Sequence, residues 1–164
     1  MIFHSSFSAK DPERVARVIA ELWKGEALPF LSLGNGSWLA VAPDERCSAM
    51  EVYPYDTVLV DDETNNVAQG YKAPDFISSH FAIGTELNED EIFAIGEREG
   101  WSTRKMHRKG GFDVIELWCE NRVMLEVLTD EMQADYVRVA TIDSWMKSLE
   151  KWKAAGLGEP TAAQ

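Results

Sequence analysis

Apolar and polar positions alternate at the start of the chain, where Phe3 and Phe7 interleave with His4, Ser6 and Ser8. That period of two predicts a half-buried strand over residues 2–9. The period then changes. Asp11 is placed to cap a helix, Pro12 suits its first turn, and Val15, Val18, Ile19 and Leu22 recur at helical spacing until Gly25. Two apolar stretches follow, over 28–33 and 37–42, joined by Gly34-Asn35-Gly36, a sequence suited to a hairpin turn. A third strand, 48–53, comes after the polar turn Asp44-Glu45-Arg46. The predicted order is βαβββ.

Residues 55–78 break the pattern. They carry Asp61-Asp62-Glu63-Thr64-Asn65-Asn66, Gly70 and Pro74 and predict little regular structure, so the stretch reads as a linker or a lid. The order then restarts with a strand over 80–85 and a helix opened by Asn88 and Glu91 as a capping pair and closed by Gly100. Strands over 101–106, 112–119 and 123–128 complete a second βαβββ unit. Beyond it, Met132, Tyr136, Val139, Trp145, Leu149 and Trp152 keep helical spacing, with Thr141-Ile142-Asp143 as a break between two helices expected to pack on the outside. The division is therefore a first module over 1–54, the linker 55–78, a second module over 79–129, a helical extension over 130–155 and a flexible tail over 156–164.

The two modules agree in spacing where their residues differ. Gly25 follows His4 by 21 positions and Gly100 follows His80 by 20; Gly34 and Gly110 each follow their histidine by 30. Each module ends in a strand holding one acidic residue, Glu51 at 47 positions after His4 and Glu126 at 46 after His80. Strand parity sorts these residues by face. His4 shares a face with Ser6 and Ser8, and His80 with Ala82 and Gly84, so small neighbours leave room around both imidazoles. Glu51 and Glu126 face away from the apolar sides of their strands. A buried carboxylate without a partner is costly, and a paired set of two imidazoles and two carboxylates suggests a shared divalent cation, with zinc, nickel, cobalt, manganese and iron all acceptable. The competing reading is a metal-free pocket that keeps the same residues as a hydrogen-bonded polar cluster.

The segments FHSSFSAKDPERV, AMEVYP, SHFAIGT and MLEVLTDEM resemble the four metal-bearing strands of glyoxalase I-type members of the vicinal oxygen chelate family, over roughly residues 1–130. The resemblance implies an α+β fold in which two tandem βαβββ modules form a cupped mixed sheet with helices outside, plus the C-terminal helices. It implies the metal ligands His4, Glu51, His80 and Glu126, and a metal-dependent lyase or isomerase acting on a small substrate with vicinal oxygens. Glu126 is then the expected catalytic base, with Glu51 as the other candidate. Two alternatives come from the same family: a metal-free small-molecule binding protein of the bleomycin-resistance type, and an extradiol-type dioxygenase using His4, His80 and Glu126. The modules complete one cup within a chain or exchange across a homodimer.

Composition narrows the partners. A formal charge of −12 without a basic stripe opposes binding to a nucleic-acid backbone. No apolar run approaches the ~20 residues of a membrane span, and the start of the chain lacks the basic and apolar regions of a signal peptide, so a cytoplasmic protein with a small-molecule ligand is expected. Cys47 and Cys119 form no CxxC pair and read as free thiols without an activating neighbour. Trp38, Tyr53 and Trp118 are the candidates to line the substrate pocket, with plain core packing as the alternative. His107, among Arg104, Lys105, Arg108 and Lys109, reads as a solvated strand end.

Overall fold

Four side-chain caps fix where the helices begin. The computed structural model describes residues 3–31, 35–59, 67–68, 70, 77–108 and 111–154. Its elements are β1 (His4–Ala9), α1 (Pro12–Trp23), β2 (Glu26–Pro29), β3 (Trp38–Val41), β4 (Ala49–Pro54), β5 (Val58–Leu59), β6 (Val67–Ala68), β7 (His80–Gly84), α2 (Glu89–Glu99), β8 (Thr103–Arg108), β9 (Phe112–Cys119), β10 (Val123–Leu128), α3 (Asp130–Val139) and α4 (Ile142–Ala154). Gly34 and Gly110 lie outside the described residues, as do 61–66, Pro74 and the tail 156–164.

The Asp11 side chain accepts the Arg14 amide at the start of α1, Asn88 and Glu91 form a reciprocal capping box at α2, the Thr129 hydroxyl accepts the Met132 amide at α3, and Thr141 accepts the Ser144 amide at α4. One expectation shifts at the end of α1. Lys24 takes the left-handed cap, while Gly25 passes so close to β3 that a Cβ there would lie 2.0 Å from the Val41 carbonyl oxygen. Close backbone approach, not the cap, is what calls for glycine at 25.

The strands form two four-stranded mixed sheets in the orders β1-β4-β3-β2 and β7-β10-β9-β8, each with its first strand parallel to its last, the arrangement of two βαβββ units. The predicted 28–33 strand lies earlier, at Glu26–Pro29, because those residues pair with Trp38–Val41. Within 55–78, β5 and β6 pair as a two-stranded ribbon. Among the described residues no ladder joins β1 to β7, so both present open edges.

Each sheet buries one face against its helix: Val15, Ile19 and Leu22 of α1 lie with Phe7, Met50 and Val52, and Ile92 and Ile95 of α2 with Leu117 and Leu125. Filling such a site removes several large side chains from water, each worth about 1.5–3 kcal/mol. The modules lock together through the Phe7–Phe81 ring contact at 5.7 Å, an Arg14–Glu99 ion pair at 2.6 Å and the Glu120 carboxylate, which accepts the amides of Lys10 and Asp11 just before α1.

The C-terminal extension departs from its expected place. Residues Phe112, Val114, Glu116 and Trp118 share the face of β9 opposite α2, and α3 packs there through the Phe112–Tyr136 edge contact at 5.0 Å and the buried Met132. On the same face a Cβ at Gly84 would meet the Gln133 side chain at 2.5 Å. The second sheet is thus covered on both faces, which is why β9 is buried continuously from Val114 to Leu117. Helix α4 leaves Ile142, Trp145 and Met146 exposed. Among the described residues no helix is long and apolar enough to cross a membrane.

Candidate functional site

Strand register puts the candidate side chains in equivalent places in the two modules. His4 pairs with Ala49, and Ser6 with Glu51; His80 pairs with Met124, and Ala82 with Glu126. In both modules, then, histidine and glutamate are diagonal neighbours on the face opposite the helix.

Their partners differ. In the first module His4 Nε2 lies 4.0 Å from Glu51 Oε1, with the histidine side chain 62% exposed. The Tyr53 hydroxyl donates to Glu51 Oε2 at 2.5 Å. Burial, and then the hydrogen bond to the Glu51 carboxylate, push the Tyr53 phenol up to about 12, against a smaller opposing effect of Ser6.

In the second module Glu126 Oε1 accepts from Arg108 Nη2 at 2.5 Å and from Arg108 Nε at 3.0 Å. Arg108 also donates to Glu116 Oε1 at 2.8 Å, and Arg104 donates to Glu116 Oε2 at 2.6 Å. Burial alone would raise the Glu116 carboxyl, but the hydrogen bonds from Arg104 and Arg108 outweigh it and hold the group below the usual carboxylate range. Burial likewise works against the Arg108 charge, and the two carboxylates reverse that and raise its pKa.

Of the four expected ligands, His4 and Glu51 lie 4.0 Å apart, whereas Glu126 is held by Arg108. Among the described residues no three His, Cys, Asp or Glu side chains are grouped so as to hold a metal. The donor chemistry agrees: Glu126 and Glu116 are already neutralised by two guanidiniums. The residues as arranged do not fit a shared ion.

A cleft of about 780 Å³ opens along the seam between β1 and β7, lined by His4 and His80 together with Phe3, Trp23, Phe81 and Gln133. Its size falls within the range of small-molecule sites. Glu51 and Glu126 are not part of its lining.

The aromatic candidates divide by strand parity. Tyr53 stands beside Glu51, and Trp118 lies on the face shared with Glu116, its indole 3.3 Å from Glu116 Oε2 and 5.9 Å from Arg104. Trp38 pairs with Val52 on the helix side, packs against the core and lies 5.2 Å beneath Arg17 of α1. Cys119 is buried, and its thiol is pushed up by desolvation.

The ion network was legible only in part. His107 does lie at an exposed strand position, paired with Asp113 at 2.6 Å. Arg104 and Arg108, read with it as a solvated end, have the opposite parity and point to the carboxylate face. The available signal was Glu116, an acid within the apolar strand VIELW.

No family model matches the chain, and no curated protein sequence matches it. Among solved structures it is similar to lactoylglutathione lyase from Agrobacterium tumefaciens, with a TM-score of 0.51 and 14% identity over 77% of this chain and 91% of that one. The likeness is one of fold: this chain has a glyoxalase I-like arrangement of paired βαβββ units.

Proposed function

We propose that this protein binds a small molecule in the seam cleft, as a metal-independent relative of the glyoxalase I-like fold. The observation that carries the reading is the cleft itself, which gathers two histidines 76 positions apart on one surface of mixed apolar and acidic lining, with Asp44, Glu86 and Asp130 at its wall, while Glu51 and Glu126 are engaged elsewhere. Phe3, Trp23 and Phe81 supply contact area, and the imidazoles of His4 and His80 supply the polar groups that orient a ligand.

The test uses S-lactoylglutathione and catechol as separate probes, followed by amide chemical shifts. Perturbations confined to the cleft lining, at residues 3–5, 23, 42–44, 48–50, 80–86, 130 and 133, with affinity weakened about tenfold in His4→Ala or His80→Ala, are the expected result. Shifts elsewhere, or affinities untouched by both substitutions, would remove the cleft as the site.

A second reading, a metal-dependent lyase or isomerase acting on a substrate with vicinal oxygens, is supported by the His4–Glu51 pair at 4.0 Å, which is half of a ligand set on one sheet. It requires His80 and Glu126 from the same or a second copy, and Glu126 would first have to leave Arg108. An extradiol-type site would draw on the same glutamate. Elemental analysis of protein purified without chelator, beside His80→Ala, separates these readings: about one ion per chain, lost in the variant, favours the metal enzyme.

A further inference from the structure

We infer that the Arg108 guanidinium holds the cation position of the second module, so that Glu126 is a structural counter-ion and not a free metal ligand. The inference rests on the metal-independent reading above and adds the residue that enforces it.

The geometry is specific. Glu126 and Glu116 are directly paired across β10 and β9, and their side chains are 12% and 5% exposed. Two carboxylates so placed repel each other unless a cation lies between them. Arg108 lies there, with Nη2 donating to both and Nε adding a second bond to Glu126. Its side chain is 27% exposed. Arg104 balances the remaining charge on Glu116. Two carboxylates and two guanidiniums make a neutral set, and a divalent ion added to it would leave a net positive charge in a largely desolvated place. Helix α3 covers the neighbouring part of this face through the Phe112–Tyr136 contact.

Among the described residues the first module lacks the device. The row of Glu51 holds Ser6, Leu39 and Leu28, against Ala82, Glu116 and Arg104 in the row of Glu126. Among the described residues only His4 stands near Glu51 as a group that can carry positive charge, and it is at 4.0 Å.

The experiment is native mass spectrometry and thermal unfolding of the full chain with Ni²⁺ or Zn²⁺ titrated alone. Wild type is expected to take up no stoichiometric ion and to keep its Tm. Arg108→Met is expected to lose about 5–10 °C in Tm and to gain a metal-dependent rise, because it leaves a carboxylate pair short of one cation. Arg108→Met/Glu126→Gln is expected to recover stability and lose that metal response, and it serves as the readout if the single variant fails to fold. Arg108→Lys is expected to stay indifferent to metal. One ion per wild-type chain, lost in Glu126→Gln, would overturn the inference; so would an Arg108→Met protein that folds with unchanged stability or binds no ion. Arg108 does not line the seam cleft, so these outcomes are independent of small-molecule binding there.

Discussion

The two modules share a strand order and a register, yet one cross-strand row is Leu28, Leu39, Glu51 and the other is Arg104, Glu116, Glu126. The first row leaves its glutamate with a tyrosine hydroxyl and a distant histidine; the second encloses its glutamate in an ion network beside a face that α3 covers. What a repeated carboxylate can do is thus set by residues one and two strands away, which need not repeat with it. A symmetric backbone supports two different electrostatic environments.

The sharpest way to break the comparison is to place a charge on each face. Val114 is fully buried between the second sheet and its cover, so Val114→Asp is expected to cost about 4 kcal/mol or more and to prevent cooperative folding. Leu39 is only half-buried, on a face of the first sheet that no described helix covers, and Leu39→Asp is expected to cost about 1 kcal/mol. Urea unfolding of the two variants reads the difference directly.

A smaller effect follows from the network. Glu116→Gln is expected to cost about 1–3 kcal/mol at pH 7, because it weakens hydrogen bonds from two guanidiniums. The folded-state pKa of Glu116 is depressed below the ordinary 4.5, so its stabilisation is present above that value and is lost as pH falls through the depressed one. Wild type and Glu116→Gln should therefore differ in urea midpoint at pH 7 and converge in acid. A gap that persists unchanged in acid would mean that the charge is not what stabilises the row.

The smallest expected change is in the first module. Tyr53→Phe removes one hydrogen bond to Glu51 and is expected to cost about 0.5–1.5 kcal/mol, with the ultraviolet transition of that phenol, near pH 12 in wild type, disappearing from the titration.

Much of this molecule is determined locally and is legible in the chain. The Asp11 and Asn88 caps, the alternation in Phe3 to Ser8 and the matching spacings from His4 and His80 specify helices, strands and a repeat, because capping, periodicity and turn chemistry act between residues close in sequence. Even the diagonal placement of each histidine beside its glutamate follows from parity and register. The partners of those glutamates do not. Whether Glu126 meets an ion or Arg108, and whether α3 lies outside the modules or across the second sheet, depends on which strands become neighbours and on the free energy of burying charge between them. Electrostatic interactions act through space, so residues 18 positions apart, such as Arg108 and Glu126, meet only because β9 lies between their strands and directs both side chains to one face.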